Sequence, residues 1–255
     1  IPTAISSAAT PQPLAGVRLD LAGLYANSPV AAVGCLLVGI ANGAWGTLGA
    51  VYGARAGISA FEIALMMSLV VVAGALAQLP VGRASDRTDR RYVLSAAAFG
   101  AALFALSLFA FAPRSGTVIL ILTAGYGALA YTLYSIAVAH ANDHASPEDF
   151  VKVSGGLLLL YGFGTMIGPL AGAYLMERMR PDSLFLATAA PHLALGVYAL
   201  MRARVRAPVP VEEREAFKTL PAERAVTPQA GLLDPRSEPE SDGRDGEDEM
   251  KPAAE

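Results

Sequence analysis

Gly82-Arg83-Ala84-Ser85-Asp86-Arg87-Thr88-Asp89-Arg90-Arg91 separates two runs that carry almost no charge, 60–81 and 92–112. Each run is about as long as the roughly 20 apolar residues that a helix needs to cross a bilayer. Both are too long and too evenly apolar for strands. A short segment with four arginines between two such runs belongs on the cytoplasmic side, where basic residues collect.

The same pattern repeats outward in both directions. Six spans meet the length and composition test: 30–53, 60–81, 92–112, 117–139, 153–176 and 183–201. Six wholly apolar helices in succession would leave a soluble protein without an outer face, so the chain reads as an all-α membrane protein with six transmembrane helices. Only 16% of the residues are charged, against about 25% in soluble domains. The charge is also unevenly spread. Residues 1–206 carry a net +4 and residues 207–255 a net −7. The acidic stretch 207–255, rich in Pro, Glu, Asp and Gly, reads as a disordered cytoplasmic tail. Residues 1–29, with Pro2, Pro11 and Pro13, read as a cytoplasmic linker, within which 17–25 could form a short interfacial helix. The single cysteine, Cys35, excludes a disulfide framework and any Cys-based zinc site, and reads as a packed core residue. The first residue is Ile and no signal-peptide pattern precedes the first span, so a piece of a longer protein is expected.

Helix-start signals fall between the spans. Ser28-Pro29 suits the first span, Ser59 with Glu62 forms a capping box for the second, and Asp182-Ser183 suits the sixth. Ser146-Pro147-Glu148-Asp149 opens the fifth, with acids at the positive end of the helix dipole. Nine basic residues (Arg18, Arg83, Arg87, Arg90, Arg91, Lys152, Arg202, Arg204, Arg206) lie on one side and four (Arg55, Arg114, Arg178, Arg180) on the other. This asymmetry places both ends of the chain in the cytoplasm, across the plasma (inner) membrane.

The segment 82–91 resembles the loop signature G-x-x-x-D-R/K-x-G-R/K-R/K of the major facilitator superfamily, which joins the second and third helices of a six-helix half. Here too it joins the second and third spans. Asp89 stands where the family has Gly, a position that would ask for left-handed backbone, which Asp tolerates better than most residues. The resemblance implies that Gly82, Asp86, Arg87, Arg90 and Arg91 form a conformational motif, with Asp86 latching onto the opposite half; within this chain Asp86 can pair with Arg87 or Arg90. Gly164-Thr165-Met166-Ile167-Gly168-Pro169-Leu170-Ala171-Gly172 resembles the family's antiporter signature G-x-x-x-G-P-x-x-G-G, with Ala173 in place of the last Gly. Gly164, Gly168 and Gly172 recur every four residues and form a smooth face for another helix, and Pro169 weakens the backbone ladder and permits a bend. The resemblance covers residues 15–206. It implies the C-terminal half of a twelve-helix transporter, built from two inverted three-helix repeats, that moves a small solute by alternating access. The implied partners are the lipid bilayer, the missing N-terminal six-helix half and an unidentified small molecule; no nucleic acid, cofactor or metal is expected.

By the same resemblance, the first, second, fourth and fifth spans line the cavity, while the third and sixth face lipid. Mid-span polar and aromatic residues are then candidates for binding: Asn42, Trp45 and Thr47 in the first span, and Thr123, Tyr126, Tyr131 and Tyr134 in the fourth. Asn42 leads, because a buried amide in lipid needs partners; Trp45, Tyr126 and Tyr131 follow. Gln78 lies near the cytoplasmic end of the second span. No Asp, Glu, Lys or Arg lies at the middle of any span. His140, Asn142, Asp143 and His144 form a candidate gate at the end of the fourth span, joining it to the fifth. The two histidines are spaced for a shared metal ion but lack third and fourth ligands. His192, after Pro191, is expected to be a satisfied residue at a helix bend.

Enzyme readings find no support in the residues. An intramembrane serine protease needs a Gly-x-Ser-Gly turn, and Val153-Ser154-Gly155-Gly156 lacks the leading Gly. A zinc hydrolase needs H-E-x-x-H, and His140-Ala141-Asn142-Asp143-His144 lacks the glutamate. The remaining alternative is a non-transporting membrane scaffold or interaction protein derived from a half-transporter.

Overall fold

The computed structural model describes residues 20–146 and 149–205. Residues 1–19, Pro147, Glu148 and everything from Arg206 onward lie outside the described residues, and with them most of the expected linker and all of the expected acidic tail.

The described chain is a bundle of helices: α1 Leu21–Asn27, α2 Pro29–Ala56, α3 Ala60–Arg87, α4 Arg90–Phe111, α5 Gly116–Ala130, α6 Leu133–Asn142, α7 Phe150–Arg178 and α8 Leu184–Val205. Six stretches are long and apolar enough to cross a membrane: α2, α3, α4, α5 with α6, α7, and α8 with the 3₁₀ turn Pro181–Ser183 that leads into it. All the expected spans are present, most of them longer than expected. The basic segment is the clearest case. It is not a loop, because α3 continues to Arg87 and α4 starts at Arg90, leaving only Thr88 and Asp89 between them. Nothing from Gly82 to Arg87 breaks a helix, so the ladder runs on beyond the apolar stretch.

The capping box of α3 forms as expected. The Glu62 amide donates to Ser59 Oγ and the Ser59 amide to Glu62 Oε2. Ser28 takes the N-cap position of α2 with Pro29 in the first turn, as expected, but without a side-chain cap bond. The Ser28 amide also closes α1 by bonding the Leu24 carbonyl. Asp182 and Ser183 lie in the 3₁₀ turn that runs directly into α8, and their side-chain oxygens find no hydrogen-bond partner among the described residues.

The fourth span was expected to be continuous, but it breaks at Tyr131–Thr132. The Thr132 amide bonds the Leu129 carbonyl, three residues back, and the Thr132 hydroxyl donates to that same oxygen at 2.7 Å. A side chain that competes for the backbone ladder tightens and bends a helix.

Packing follows a two-fold pattern. α2 runs along α7 and α3 along α5, α2 touches α8 as α4 touches α5, and α4 pairs with α8. Exchanging the first three spans for the last three reproduces these pairings, as an inverted repeat requires. Glycine makes both close seams. On α7, a methyl group at Gly164 or Gly168 would overlap the carbonyl of Leu36 or Ile40; on α2, one at Gly39 or Gly43 would overlap backbone of Tyr161 or Thr165. The second seam repeats this with Gly74 against Tyr131 and Gly127 against Val70. Such backbone-to-backbone approach is how helices associate where lipid removes the hydrophobic drive. Gly172 faces the side chains of Leu48 and Leu184 instead. α7 passes through Pro169 as one helix.

α3 and α7 expose the most apolar surface, including Phe61, Leu76, Leu79, Phe163, Met166 and Leu170. α4 and α8 pair with each other.

Candidate functional site

A pocket of about 520 Å³ opens among α2, α3, α7 and the break in the fourth span. Its polar lining is Asn42, Ser68, Tyr131 and Tyr161, and its apolar lining includes Met67 and Val71. Among the described residues that line it, none carries a charge. Asn42 sits one residue from Gly43, on the stretch where α2 and α7 approach backbone to backbone, so its amide reaches the facing helix. Asn42 Nδ2 donates to the Tyr161 hydroxyl at 3.4 Å, while its Oδ1 is buried without a partner among the described residues. The Tyr161 ring in turn meets Tyr134 edge-on, with centroids 5.0 Å apart. Tyr131 reaches the pocket because the Thr132 turn interrupts the helix there.

Of the binding candidates, Asn42 and Tyr131 line this pocket, and Trp45 and Tyr126 do not. Those two rings, each about 1% exposed, meet at a tilt with centroids 5.8 Å apart in the core, and Trp45 also packs on Phe185 at 6.0 Å. Thr123 is buried and bonds its own helix at the Ile119 carbonyl. Thr47 is exposed and Gln78 buried. His192 departs from expectation. Neither ring nitrogen has a partner among the described residues, because the imidazole packs against the Tyr126 ring, 5.7 Å away, instead of reaching a polar atom. Sequence reasoning passed over Tyr161, Ser68 and Gly46. Tyr161 was findable, since it lies three residues before Gly164 on the seam face.

The second assembly lies at the end of the bundle where α3 meets α4. Arg90, with its side chain 1% exposed, donates from Nη1 to Asp86 Oδ1 at 2.9 Å and to Ser85 Oγ at 3.3 Å. It also grips Asp143, itself buried, through Nε at 2.7 Å and Nη2 at 3.3 Å. Asp143, expected to help tie the fourth span to the fifth, instead ties it to the start of α4. The reason is that α6 packs against α4, which brings its last turn beside Arg90. Arg87 points outward, exposed.

Asp89 caps α4, accepting from the Arg91 amide at 3.0 Å and from the Arg91 guanidinium. Its backbone is extended (φ −63°), so this turn requires no left-handed residue. That removes the difficulty posed by an aspartate in place of glycine. Burial alone would raise the Asp89 carboxyl, but the Arg91 hydrogen bonds outweigh it and hold the group below the usual carboxylate range. Arg91 also donates to the Arg202 carbonyl of α8. The His140 and His144 rings meet edge-on at 4.7 Å, and the His144 carbonyl accepts from Asn27 of α1. Among the described residues, no three His, Cys, Asp or Glu side chains gather as metal ligands would.

Residues 29–239 match the family model described as the Major Facilitator Superfamily. The chain belongs to the major facilitator superfamily. Relatives within the superfamily include the "Uncharacterized MFS-type transporter YcaD" of Shigella flexneri serotype 5b (strain 8401) and the protein of the same name from Escherichia coli (strain K12 / DH10B). Each is 30% identical over 171 residues, which is 67% of this chain and 43% of the relative. The chain therefore spans less than half the length of these superfamily members. No solved structure matches.

Proposed function

We propose that this chain is the C-terminal six-helix half of a secondary transporter that moves a small solute across the plasma (inner) membrane by alternating access. The pocket carries this reading. It opens among the first, second, fourth and fifth spans, beside the exposed apolar faces of α3 and α7, where a second six-helix half would close it. In this reading Asn42, Tyr131 and Tyr161 meet the solute, while Trp45 and Tyr126 brace α2 against α5 and α8. Asp86, Arg90 and Asp143 hold the cytoplasmic end shut in one state.

Flux through the full-length protein in proteoliposomes tests the proposal. Uptake or efflux of a solute down or against an imposed gradient supports it. No flux, together with a stable complex with another membrane protein, would replace it with the scaffold reading. Orientation is tested separately: Thr88→Cys should react with an impermeant maleimide only from the cytoplasm, and Ser115→Cys only from the opposite side.

A further inference from the structure

At the end of the bundle where α1, α4, α6 and α8 meet, a crevice of about 10 Å³ opens among Asn27, Arg91, His140, His144 and Arg202. Room of that size takes about one water-sized atom, which suits the tip of a side chain and not a whole solute. Among the described residues, no carboxylate lines it. Arg91 is held by Asp89. Arg202 gives its backbone carbonyl to Arg91, while its half-buried side chain forms no ion pair among the described residues.

The described carboxylates of this end are all engaged: Asp20 caps α1, Asp86 and Asp143 hold Arg90, Asp89 holds Arg91, and Asp149 holds Lys152. Arg83, Arg87, Arg202 and Arg204 are left with no ion pair among the described residues. α8 finishes at Val205 on this same end. The chain beyond it is acidic, with 13 Asp/Glu against 6 Lys/Arg over 207–255, and is most acidic over 238–249, with seven acids and one arginine. Such a run of like charge is a common form of interaction tail. Its covalent connection to α8 raises its effective concentration at the crevice.

We propose that the segment 238–249 docks on this end of its own bundle, with one Asp or Glu seated in the crevice against Arg202. The docked segment bridges α1, α4, α6 and α8, and it comes loose when they separate. This does not rest on the transporter reading.

The distance between two spin labels tests it in the full-length protein with no other cysteine present. The labels, at Thr88→Cys in the turn between α3 and α4 and at Ser241→Cys, are read by pulsed electron–electron double resonance in phosphatidylcholine nanodiscs. A docked segment gives one narrow distance. Arg202→Gln should at least double its width, and so should conversion of the seven acids of 238–249 to their amides. The amide variant leaves the bundle untouched, so it decides if Arg202→Gln unfolds. A broad distribution in the parent protein overturns the proposal, as does a narrow one that either folded variant leaves unchanged. If the parent is broad and Arg202→Gln loses copurified phosphatidylglycerol several-fold, a lipid phosphate takes the place of the acidic segment.

Discussion

Arg90 holds Asp143 by two parallel hydrogen bonds, Nε to Oδ2 at 2.7 Å and Nη2 to Oδ1 at 3.3 Å, with both side chains withdrawn from solvent. The pair joins residues 53 positions apart in the chain. It fastens the end of α6 to the first turn of α4. Removing one member of a buried pair leaves an uncompensated charge, at a cost of roughly 3–5 kcal/mol. Asp143→Ala leaves Arg90 paired with Asp86, so it should lower stability by less than that in thermal unfolding of the full-length protein in detergent. Arg90→Lys should be costly as well, because an ammonium cannot reproduce the fork that reaches Asp143 and Asp86 together. Wild-type midpoints in both variants would remove the pair from the account of this end.

The glycine seam separates positions that look alike in sequence. At Gly168 an added methyl collides with the Ile40 carbonyl, whereas at Gly46 it meets open space. Gly168→Ala should destabilise by roughly 1–3 kcal/mol, the usual cost of overpacking. Gly46→Ala should be neutral or gain up to about 1 kcal/mol from better helix propensity. Unfolding midpoints measured side by side check the contrast, and an equal response at the two positions would contradict the seam.

Asn42 and Trp45 lie three residues apart but have different surroundings. Loss of the Asn42 amide should raise the KM for a transported solute about three- to tenfold with little change in kcat, the effect of one hydrogen bond. Trp45→Phe keeps an aromatic ring in the core and should leave KM unchanged while lowering stability. A KM change in Trp45→Phe that matches Asn42→Ala would move the binding site into the aromatic cluster.

The Asp89–Arg91 cap gives a pH-dependent term of known sign. Asp89 titrates lower in the folded protein than in an unfolded chain, so it contributes stability above the ordinary aspartate value of about 3.9. That contribution is lost as the pH falls through the lowered folded value. Asp89→Asn should lower the unfolding midpoint at pH 7. The gap to wild type should close as the pH is brought below the usual carboxylate range. A gap independent of pH would mean that the cap acts through shape alone.

The spans were legible because apolar length is a strong and local signal, and the Ser59–Glu62 box because its partners are three residues apart. Asn42 and Tyr131 stood out as polar groups in apolar surroundings. The reach of α3 to Arg87 was not legible, since charged residues continue a helix as readily as they end one. Nor was the break at Thr132, whose hydroxyl looks the same in sequence whether it bonds the Leu129 carbonyl or a neighbouring helix. The separation of Trp45 and Tyr126 from the pocket depends on which face of α2 meets α5 and α8. A span apolar all round gives no clue to that rotation. Gly39 and Gly43 carried a four-residue spacing that matched the one noticed in α7, and the two sets face each other.

The ion pairs are unevenly placed between the two membrane faces. Arg90 with Asp86 and Asp143, Arg91 with Asp89, and Lys152 with Asp149 all stand on the face where α1 meets the bundle; on the other, Arg180 stands 3.9 Å from Asp182. Among these pairs only Arg90 with Asp143 joins residues distant in the chain, while on the other face the Arg180 guanidinium lies over the Phe109 ring and donates to the Phe109 carbonyl. Heated, the bundle should fray first on the side of Gly57 and Ala112, away from the buried Arg90–Asp143 clamp.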